Sequence, residues 1–200
     1  MIVELGRQLE SWRALLPKAI QWHDNDRLRI DETAAFPDVT TKKPTVQTKE
    51  INLNTLAAEL RSRFYYARHM LYRPYVYKAL HFPHLLSIDD VNYCVLALKA
   101  ACLWPMFFPP PKDQKRLVPH LFAWTNSSIG MLLVLRMVRV NEDLRGVCEG
   151  RVSEQEIDET VAVMLDWLNG MRQFDAIAEW AWTVFGPMFG AGERRGQPVE

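Results

Sequence analysis

Apolar residues recur at intervals of three and four along almost the whole chain, and this spacing restricts the fold more than any other feature. It is the spacing of one face of an α-helix, whereas a half-buried strand alternates apolar and polar side chains. The first segment shows it as the stripe Ile2, Leu5, Leu9, Trp12 and Leu16. No window alternates in this way beside hairpin turns. The sequence therefore predicts an all-α fold, an irregular multi-helix domain of about six helices with no sheet.

Proline, glycine and capping residues predict where these helices begin and end. The predicted helices cover about residues 2–16, 53–73, 88–103, 119–140, 153–170 and 174–185. Ser87 with Asp90, and Ser153 with Glu156, have the spacing of a capping box at a helix start. Pro74 has no backbone N–H group, so it should end or kink the second helix, with 75–80 as a continuation beyond it.

Glycine and proline predict the remaining helix ends. Gly146 and Gly150 indicate a loop after the fourth helix, and Gly170 fits the C-terminal cap of the fifth. Gly186 and Pro187 should stop the last helix, which is expected to turn Ile177, Trp180, Ala181 and Val184 inward.

The chain is predicted to be one domain, spanning residues 1–188, because its 200 residues suit a single core. Between about 23 and 50 the helical spacing disappears, and a structureless stretch of that length is uncommon inside a compact domain. We therefore expect a mobile insertion there. The small and polar residues 189–200 predict a disordered tail.

Charge and cysteine content exclude several classes of protein. The 24 basic side chains equal the 24 acidic ones, whereas a free-standing nucleic-acid binder usually has a basic surplus. Three cysteines without short spacing argue against a disulfide framework and favour a reducing compartment. No apolar run reaches the ~20 residues that span a bilayer, and the first residues do not resemble a signal peptide. We expect a soluble intracellular protein without a membrane partner.

The most distinctive stretch runs from residue 64 to 81 and interleaves aromatic with basic residues. The basic side chains in and beside it are Arg61, Arg63, Arg68, Arg73 and Lys78. One interpretation is nucleic-acid contact, with arginines on phosphates and tyrosines stacked on bases. The other is a core helix with a solvated basic face. The neutral charge balance favours the core helix, so we predict no DNA-binding residue here.

Candidate metal and catalytic residues are few. His81 and His84 have a spacing that can hold a metal on a helix, but Pro83 lies between them. Cys94 and Cys102 are better explained as small core residues. The adjacent carboxylates at 89 and 90 suit a helix start, and no phosphate loop, nucleophile elbow or zinc-protease motif is present. We predict no catalytic, cofactor-binding or metal site, and no enzymatic activity.

Two further groups of residues admit a ligand pocket. Thr125, Asn126, Ser127 and Ser128 form a polar run within an apolar helix, which would line a cavity or meet water. The tryptophans Trp167, Trp180 and Trp182 would line a pocket or a partner surface. Core packing is the preferred interpretation of each tryptophan taken singly.

Several segments together resemble the fungal-specific regulatory domain of binuclear zinc-cluster transcription factors, specifically its C-terminal part. The residues that carry this resemblance are Leu15-Leu16-Pro17 with Ile20 and Trp22, and then Tyr65-Tyr66-Ala67-Arg68-His69 and Leu71-Tyr72-Arg73-Pro74-Tyr75. The helix of Cys94, Ala100 and Cys102 ending at Pro105, and the apolar helix from Trp124, add support. The resemblance extends from about residue 5 to 182.

The resemblance implies a regulatory, all-α segment in the nucleus that contacts protein coregulators or senses a small-molecule effector. Such proteins control nutrient use or secondary-metabolite gene clusters, and they bind DNA through a separate cluster of six cysteines with two zinc ions. The three cysteines here include no C-x-x-C pair, so the zinc cluster is absent, no zinc cofactor is expected and this chain should not bind DNA by itself. A fragment, a truncated gene model and a degenerate paralogue all remain open.

Two alternatives to the regulatory segment stay open. A free-standing helical adaptor would bury apolar surface against another protein. An all-α enzyme would place its site in a pocket between helices, but the sequence supplies no nucleophile or acid/base group for it. The target genes, the effector and the sign of regulation are not encoded in any of these patterns.

Overall fold

A computed structural model describes the backbone of residues 1–24, 46–105 and 121–190, and their side chains except at 46–55 and 121–122. Over these ranges the chain contains seven α-helices and no strand, which confirms the all-α prediction. The chain divides into two compact units, Met1–Pro109 and Pro110–Glu200. Most of the expected insertion at 23–50 and most of the expected tail at 189–200 lie outside the described residues, although residues 46–50 are helical.

The first unit contains three of the helices and the second contains four. The first unit holds α1 (Ile2–Ala14), α2 (Val46–His81) and α3 (Ile88–Leu103), with short 3-10 helices at Lys18–Ile20 and Pro83–Leu85. The second unit holds α4 (Leu121–Val140), α5 (Glu142–Cys148), α6 (Glu154–Met171) and α7 (Ala176–Met188). None of the described helices is both long and apolar enough to cross a lipid bilayer.

Two predicted helix ends, at Gly170 and at Gly186, are wrong, because the residue expected to break the helix lies inside it. Pro74 does not end α2, which continues to His81 and so includes the predicted continuation at 75–80. Its ring is exposed while the neighbouring Tyr72 and Val76 are buried, so packing maintains the helix despite one missing backbone donor. Gly170 is inside α6, whose C-terminal cap is Arg172, and α7 includes Gly186 and Pro187.

The short helix α5 was also missed, because Gly146 indicates a loop there. Its N-terminal cap is Asn141, whose side-chain oxygen accepts a hydrogen bond from the backbone N–H group of Leu144 at 2.8 Å. Leu144, Val147 and Cys148 are buried. This helix has only two turns, and the burial of one of its sides stabilises it in spite of the glycine.

The interior of the first unit is built along α2 on a seven-residue repeat. Ala58, Tyr65, Tyr72 and Ala79 are buried at intervals of seven, and so are Ser62, His69 and Val76. Such a repeat keeps one seam of a helix facing its neighbour. The neighbour is α3, whose buried side contains mostly small residues. The buried His69 ring bonds to the carbonyl of Ala97 at 3.0 Å, and the Tyr72 ring stacks on Tyr93.

Helix α1 packs on α2 at a glycine. A side-chain carbon added at Gly6 would lie 2.2 Å from the hydroxyl oxygen of Tyr72, well inside van der Waals contact. Glycine at this position therefore permits the close approach of the two helices. The predicted stripe is partly wrong, because Leu5 and Trp12 are 44% and 40% exposed. The packed side is rotated towards Gly6, Leu9 and Arg13.

The second unit packs α5, α6 and α7 around α4. Its buried side chains are mainly aliphatic or sulfur-containing and include Met131, Leu132, Leu135, Val138, Leu144, Ile157, Val161, Met164, Leu165 and Leu168. The predicted capping box of Ser153 and Glu156 is confirmed, as is that of Ser87 and Asp90 in the first unit. Both predicted capping boxes are therefore formed.

Candidate functional site

Helix α2 contains the tyrosine- and arginine-rich stretch, and the structure divides its residues between two faces. The inner face contacts residues 20–24 and α1. Together they form a buried cluster of arginine side chains and aromatic rings. The outer face, formed by Arg63, Tyr66, Met70, Arg73, Tyr77 and His81, is exposed. The two faces therefore differ in whether their side chains are accessible to another molecule.

Arg61 is the most unusual residue of the inner face, since it is a charged side chain with only 1% exposure. Its guanidinium donates a hydrogen bond to the backbone carbonyl of Asp24 at 3.3 Å and lies 5.7 Å from the ring of Tyr65. The Tyr65 hydroxyl donates to the carboxylate of Asp24 at 2.5 Å. Arg61 and Tyr65 therefore both hold the chain at Asp24.

Arg13 of α1 contacts the same short segment. It forms an ion pair with the Asp24 carboxylate at 2.7 Å and donates to the carbonyl of Trp22 at 3.0 Å. Its guanidinium also lies 5.1 Å from the ring of Phe64 and 5.3 Å from that of Trp22, within the range of cation–π attraction. The segment at 22–24 is thus held from both α1 and α2.

The charges of this cluster are mutually stabilising. Burial alone would raise the pKa of Asp24, but the hydrogen bond from Tyr65 and the charge of Arg13 outweigh it and hold the pKa below its usual value. Burial, and then the bond to Asp24, raise the pKa of Tyr65, so its phenol stays protonated and donates. Arg68 forms a further ion pair with Glu10 at 3.5 Å. The inner arginines therefore serve the internal structure of the unit.

The basic stretch of α2 had two interpretations, nucleic-acid contact and a core helix with a solvated basic face. The prediction that α2 is a core helix agrees with the burial of Phe64, Tyr65 and Tyr72, but a solvated position for Arg61 is wrong. Arg68 is also mostly covered, while Lys78 is bound to Asp90 at 2.8 Å. Hydrogen bonds from Lys78 and Ser87 lower the pKa of Asp90 to about 2. Of the five basic residues, Arg63 and Arg73 are the ones that lie exposed.

The outer face of α2 has the composition of a protein interface. Tyr66, Met70 and Tyr77 are 38%, 43% and 59% exposed. Tyrosine, methionine and arginine are enriched in interfaces, whereas lysine and acidic residues are depleted. The exposed positions of α2 from 66 to 81 include no acidic residue and no lysine. An exposed face of about four helical turns therefore has a composition that suits contact with another protein.

The outer face ends in a group of exposed rings. The Tyr77 ring lies 4.2 Å from the His81 ring and 6.4 Å from that of Phe82, and all three residues are exposed. Exposed apolar residues on α1 and at its C-terminal cap, such as Val3 and Leu15, differ because charged residues of both signs are interspersed among them. The outer face of α2 is therefore more uniform in the sign of its charges than the exposed surface of α1.

Among the described residues, the histidines and cysteines considered as metal ligands do not lie within a cluster of metal-binding side chains. His81 is the last residue of α2 and His84 lies in the following 3-10 helix, and both are exposed. Cys94 and Cys102 are buried in α3, as predicted for core residues. Within the described ranges no group of three or more histidine, cysteine or acidic side chains is arranged to hold a metal ion.

The polar run of α4 forms local hydrogen bonds. The hydroxyls of Ser127 and Ser128 donate to the carbonyls four residues earlier, at 2.8 and 2.9 Å. Thr125 donates to Asp175, which caps the N-terminus of α7. Three of the four polar side chains in this run therefore form hydrogen bonds within the protein.

The three tryptophans singled out by the sequence lie in different environments. Trp167 is buried and stacks on Trp124 with 4.5 Å between ring centroids. Trp182 is half-buried beside Arg172. Trp180 is 56% exposed, so the prediction that it points inward is wrong.

The second unit has an open groove of about 1090 Å³ between the end of α4, α5 and the start of α6. Its lining includes Arg139, Arg145 and Arg151 beside a larger number of carboxylates. Arg139 pairs with Asp158, and burial raises the pKa of the Cys148 thiol to about 11, which leaves it protonated and unreactive. The mixed charges and the protonated thiol favour no particular ligand.

Comparisons with models of protein families, with curated proteins and with solved structures return no match. The outer face of α2 is a candidate site that the sequence analysis did not single out. The seven-residue repeat of Ala58, Tyr65, Tyr72 and Ala79 would have identified it, because this repeat places Tyr66, Met70 and Tyr77 on the opposite side.

Proposed function

We propose that this chain is a regulatory segment of a fungal transcription regulator, and that it binds a protein partner through the outer face of α2. The observation that carries the proposal is the exposed row of Tyr66, Met70, Arg73 and Tyr77 on one helix. The same stretch carries the resemblance to the regulatory domain of zinc-cluster factors. Large exposed side chains of these types dominate the binding energy of protein interfaces.

The proposal includes a nuclear location and no sequence-specific DNA binding by this chain. Arg13, Arg61 and Arg68 are engaged inside the first unit, and the formal net charge is zero. Neutralising phosphates usually requires several exposed basic residues on one surface. Sequence-specific binding of the purified chain to duplex DNA at moderate salt would contradict the proposal.

A reporter assay tests the regulatory role. The full chain is fused to an unrelated DNA-binding module and expressed in a fungus with a reporter gene under the matching site. We expect transcription to change relative to the module alone. Unchanged transcription, at equal nuclear amounts of the two proteins, would overturn the regulatory role. If the chain still bound another protein, the free-standing adaptor would be the better description.

Two matched substitutions assign the activity to the outer face. Met70 and Leu133 are both exposed apolar residues within a long helix, with 43% and 47% exposure. We expect Met70→Asp to abolish the reporter effect and Leu133→Asp to leave it intact. Tyr77→Ser is a second variant on the outer face, with circular dichroism to check that each variant folds. Normal activity of both Met70→Asp and Tyr77→Ser would exclude this surface.

A further inference from the structure

The exposed charges on the outer face of α2, from Arg63 onwards, are positive, and the carboxylate of Glu59 lies one turn before Arg63. Arg63 and Arg73 are exposed cations ten residues apart, about 15 Å along a helix axis. Tyr66 and Met70 lie between them. Arg63 pairs with Glu59 at 3.9 Å, a long and solvated contact of little energy that an incoming carboxylate can replace. Lys78 does not add to this field, because Asp90 holds it at 2.8 Å.

The shape of the face favours a helix as its occupant. Tyr66, Met70, Arg73 and Tyr77 follow one another at intervals of four, three and four, which is the ridge of a straight helix surface. The described residues include no strand whose edge an extended peptide would extend. A ridge of this kind packs best against the complementary groove of another helix. About three turns of partner helix would cover the distance from Tyr66 to Tyr77.

We infer that the partner segment covering the outer face of α2 is an acidic amphipathic helix. This inference rests on the proposed function. Its apolar side packs on Tyr66, Met70 and Tyr77, and its carboxylates lie about ten residues apart to meet Arg63 and Arg73. The flexible side chain of Met70 adapts to the shape of the apolar side. Charge complementarity of this kind supplies orientation and selectivity.

A nucleic acid is the other polyanion that two arginines and two tyrosines can contact. The outer face has only two arginines over about 15 Å, whereas duplex DNA presents one charge every ~1.7 Å. Exposed Met70 and Phe82 match apolar side chains better than phosphates. The face therefore favours a peptide over a nucleic acid.

The test uses two synthetic helical peptides with the full chain. Both have the same leucine stripe, and one has glutamates ten residues apart where the other has lysines. Fluorescence anisotropy of the labelled peptides measures each Kd, and added salt checks the contribution of charge. We expect the glutamate peptide to bind at least tenfold more tightly. Equal binding of the two peptides, or no binding of either, would overturn the inference.

Charge reversal on the protein gives a matched control. Arg63 and Arg145 are similarly exposed, at 75% and 58% of the side chain, and each has one long ion pair within its own helix. We expect Arg63→Glu combined with Arg73→Glu to reverse the peptide preference, and Arg63→Glu alone to weaken glutamate-peptide binding several-fold. Arg145→Glu should leave it unchanged. An equal loss with Arg145→Glu would contradict the assigned surface.

Different results would overturn the proposed partner binding and the inferred acidic helix. If the glutamate peptide shows no preference while Met70→Asp still abolishes the reporter effect, the acidic helix is wrong and partner binding at this face stands. If an unrelated DNA duplex displaces the glutamate peptide and itself depends on Arg63 and Arg73, the occupant is a nucleic acid. That result would overturn the inference and also count against the proposed function.

Discussion

The two units differ in the bonds that their buried polar groups form. In the first, two of the buried polar side chains bond to residues distant in sequence. Arg61 donates to the Asp24 backbone, and His69 bonds to Ala97. In the second, the buried hydroxyls of Ser128 and Thr160 donate to carbonyls of their own helix, four residues back, whereas that of Thr125 donates to Asp175 at the start of α7. The first unit thus buries an arginine and a histidine that bond to distant residues, whereas the interior of the second is mainly apolar with buried hydroxyls.

Helix α2 places arginine, histidine and tyrosine inside the first unit and displays tyrosine, methionine and arginine on its outer face. Burial also keeps His69 neutral, since loss of water lowers its pKa. The uncharged ring then donates from Nδ1 to the Ala97 carbonyl. The first unit therefore depends on particular protonation states, and the second depends on volume.

The largest expected effect comes from Arg61→Ala. Removing one member of a buried charged group leaves the Asp24 carbonyl without this donor and a space beside Tyr65. We expect the free energy of unfolding of the first unit to fall by about 3–5 kcal/mol. Hydrogen exchange of peptides from 1–24 and 56–105, followed by mass spectrometry, measures this loss separately from the second unit.

Arg61→Met is the control for this substitution. Methionine restores most of the stem volume without the charge, so it should recover part of the loss. A fall of less than about 1 kcal/mol with Arg61→Ala would show that the directional contacts contribute little to the first unit. The comparison between the two units would then fail.

Leu135→Ala is the corresponding change in the second unit, with a smaller expected effect. Leu135 is fully buried on α4, and truncation removes apolar contacts and leaves a cavity. We expect a loss of about 3 kcal/mol, and the same loss at low and high salt. Chemical denaturation with exchange of peptides from 123–190 measures it. A loss that depends strongly on salt would mean that ionic contacts also fix this unit.

Sequence reasoning succeeded where apolar volume and local caps determine the structure. Ser87 and Ser153 were identified as capping residues, and the bounds of α3 agree with the prediction. The signal for each of these features lies within a few residues of the chain. Helix α6 also follows its local sequence, because Ile157, Val161 and Leu165 recur at helical spacing and are buried.

It failed where a distant residue decides burial. Nothing near Arg61 in the sequence indicates that the carbonyl of Asp24, thirty-seven residues earlier, will accept its hydrogen bond. On α2 the apolar Leu56 is exposed while Tyr65 and His69 are buried, so hydrophobicity alone does not indicate which side of this helix faces inward. The outer face of α2, and with it the candidate site, was missed for the same reason.

The smallest expected effect is a difference in acid sensitivity between the units. The pKa of Asp24 is lower in the folded protein than its usual value near 3.9, so its contribution to stability is present above about pH 4. It is lost as the pH falls through the folded pKa. Asp90, with a pKa of about 2, adds to the same trend in the first unit. We therefore expect exchange protection of the first unit to decline below pH 4 more than that of the second.

Asp24→Asn separates this contribution from general acid denaturation. Asparagine cannot form the ion pair with Arg13, so above pH 4 the variant should be less stable than the wild type, and the gap should narrow as the pH falls. The effect should be smaller than that of Arg61→Ala, because the Asp24 side chain is 43% exposed and solvent screens its charge. A constant gap between pH 2 and pH 7 would show that Asp24 acts through shape alone. The ionic description of the first unit would then rest on Arg61.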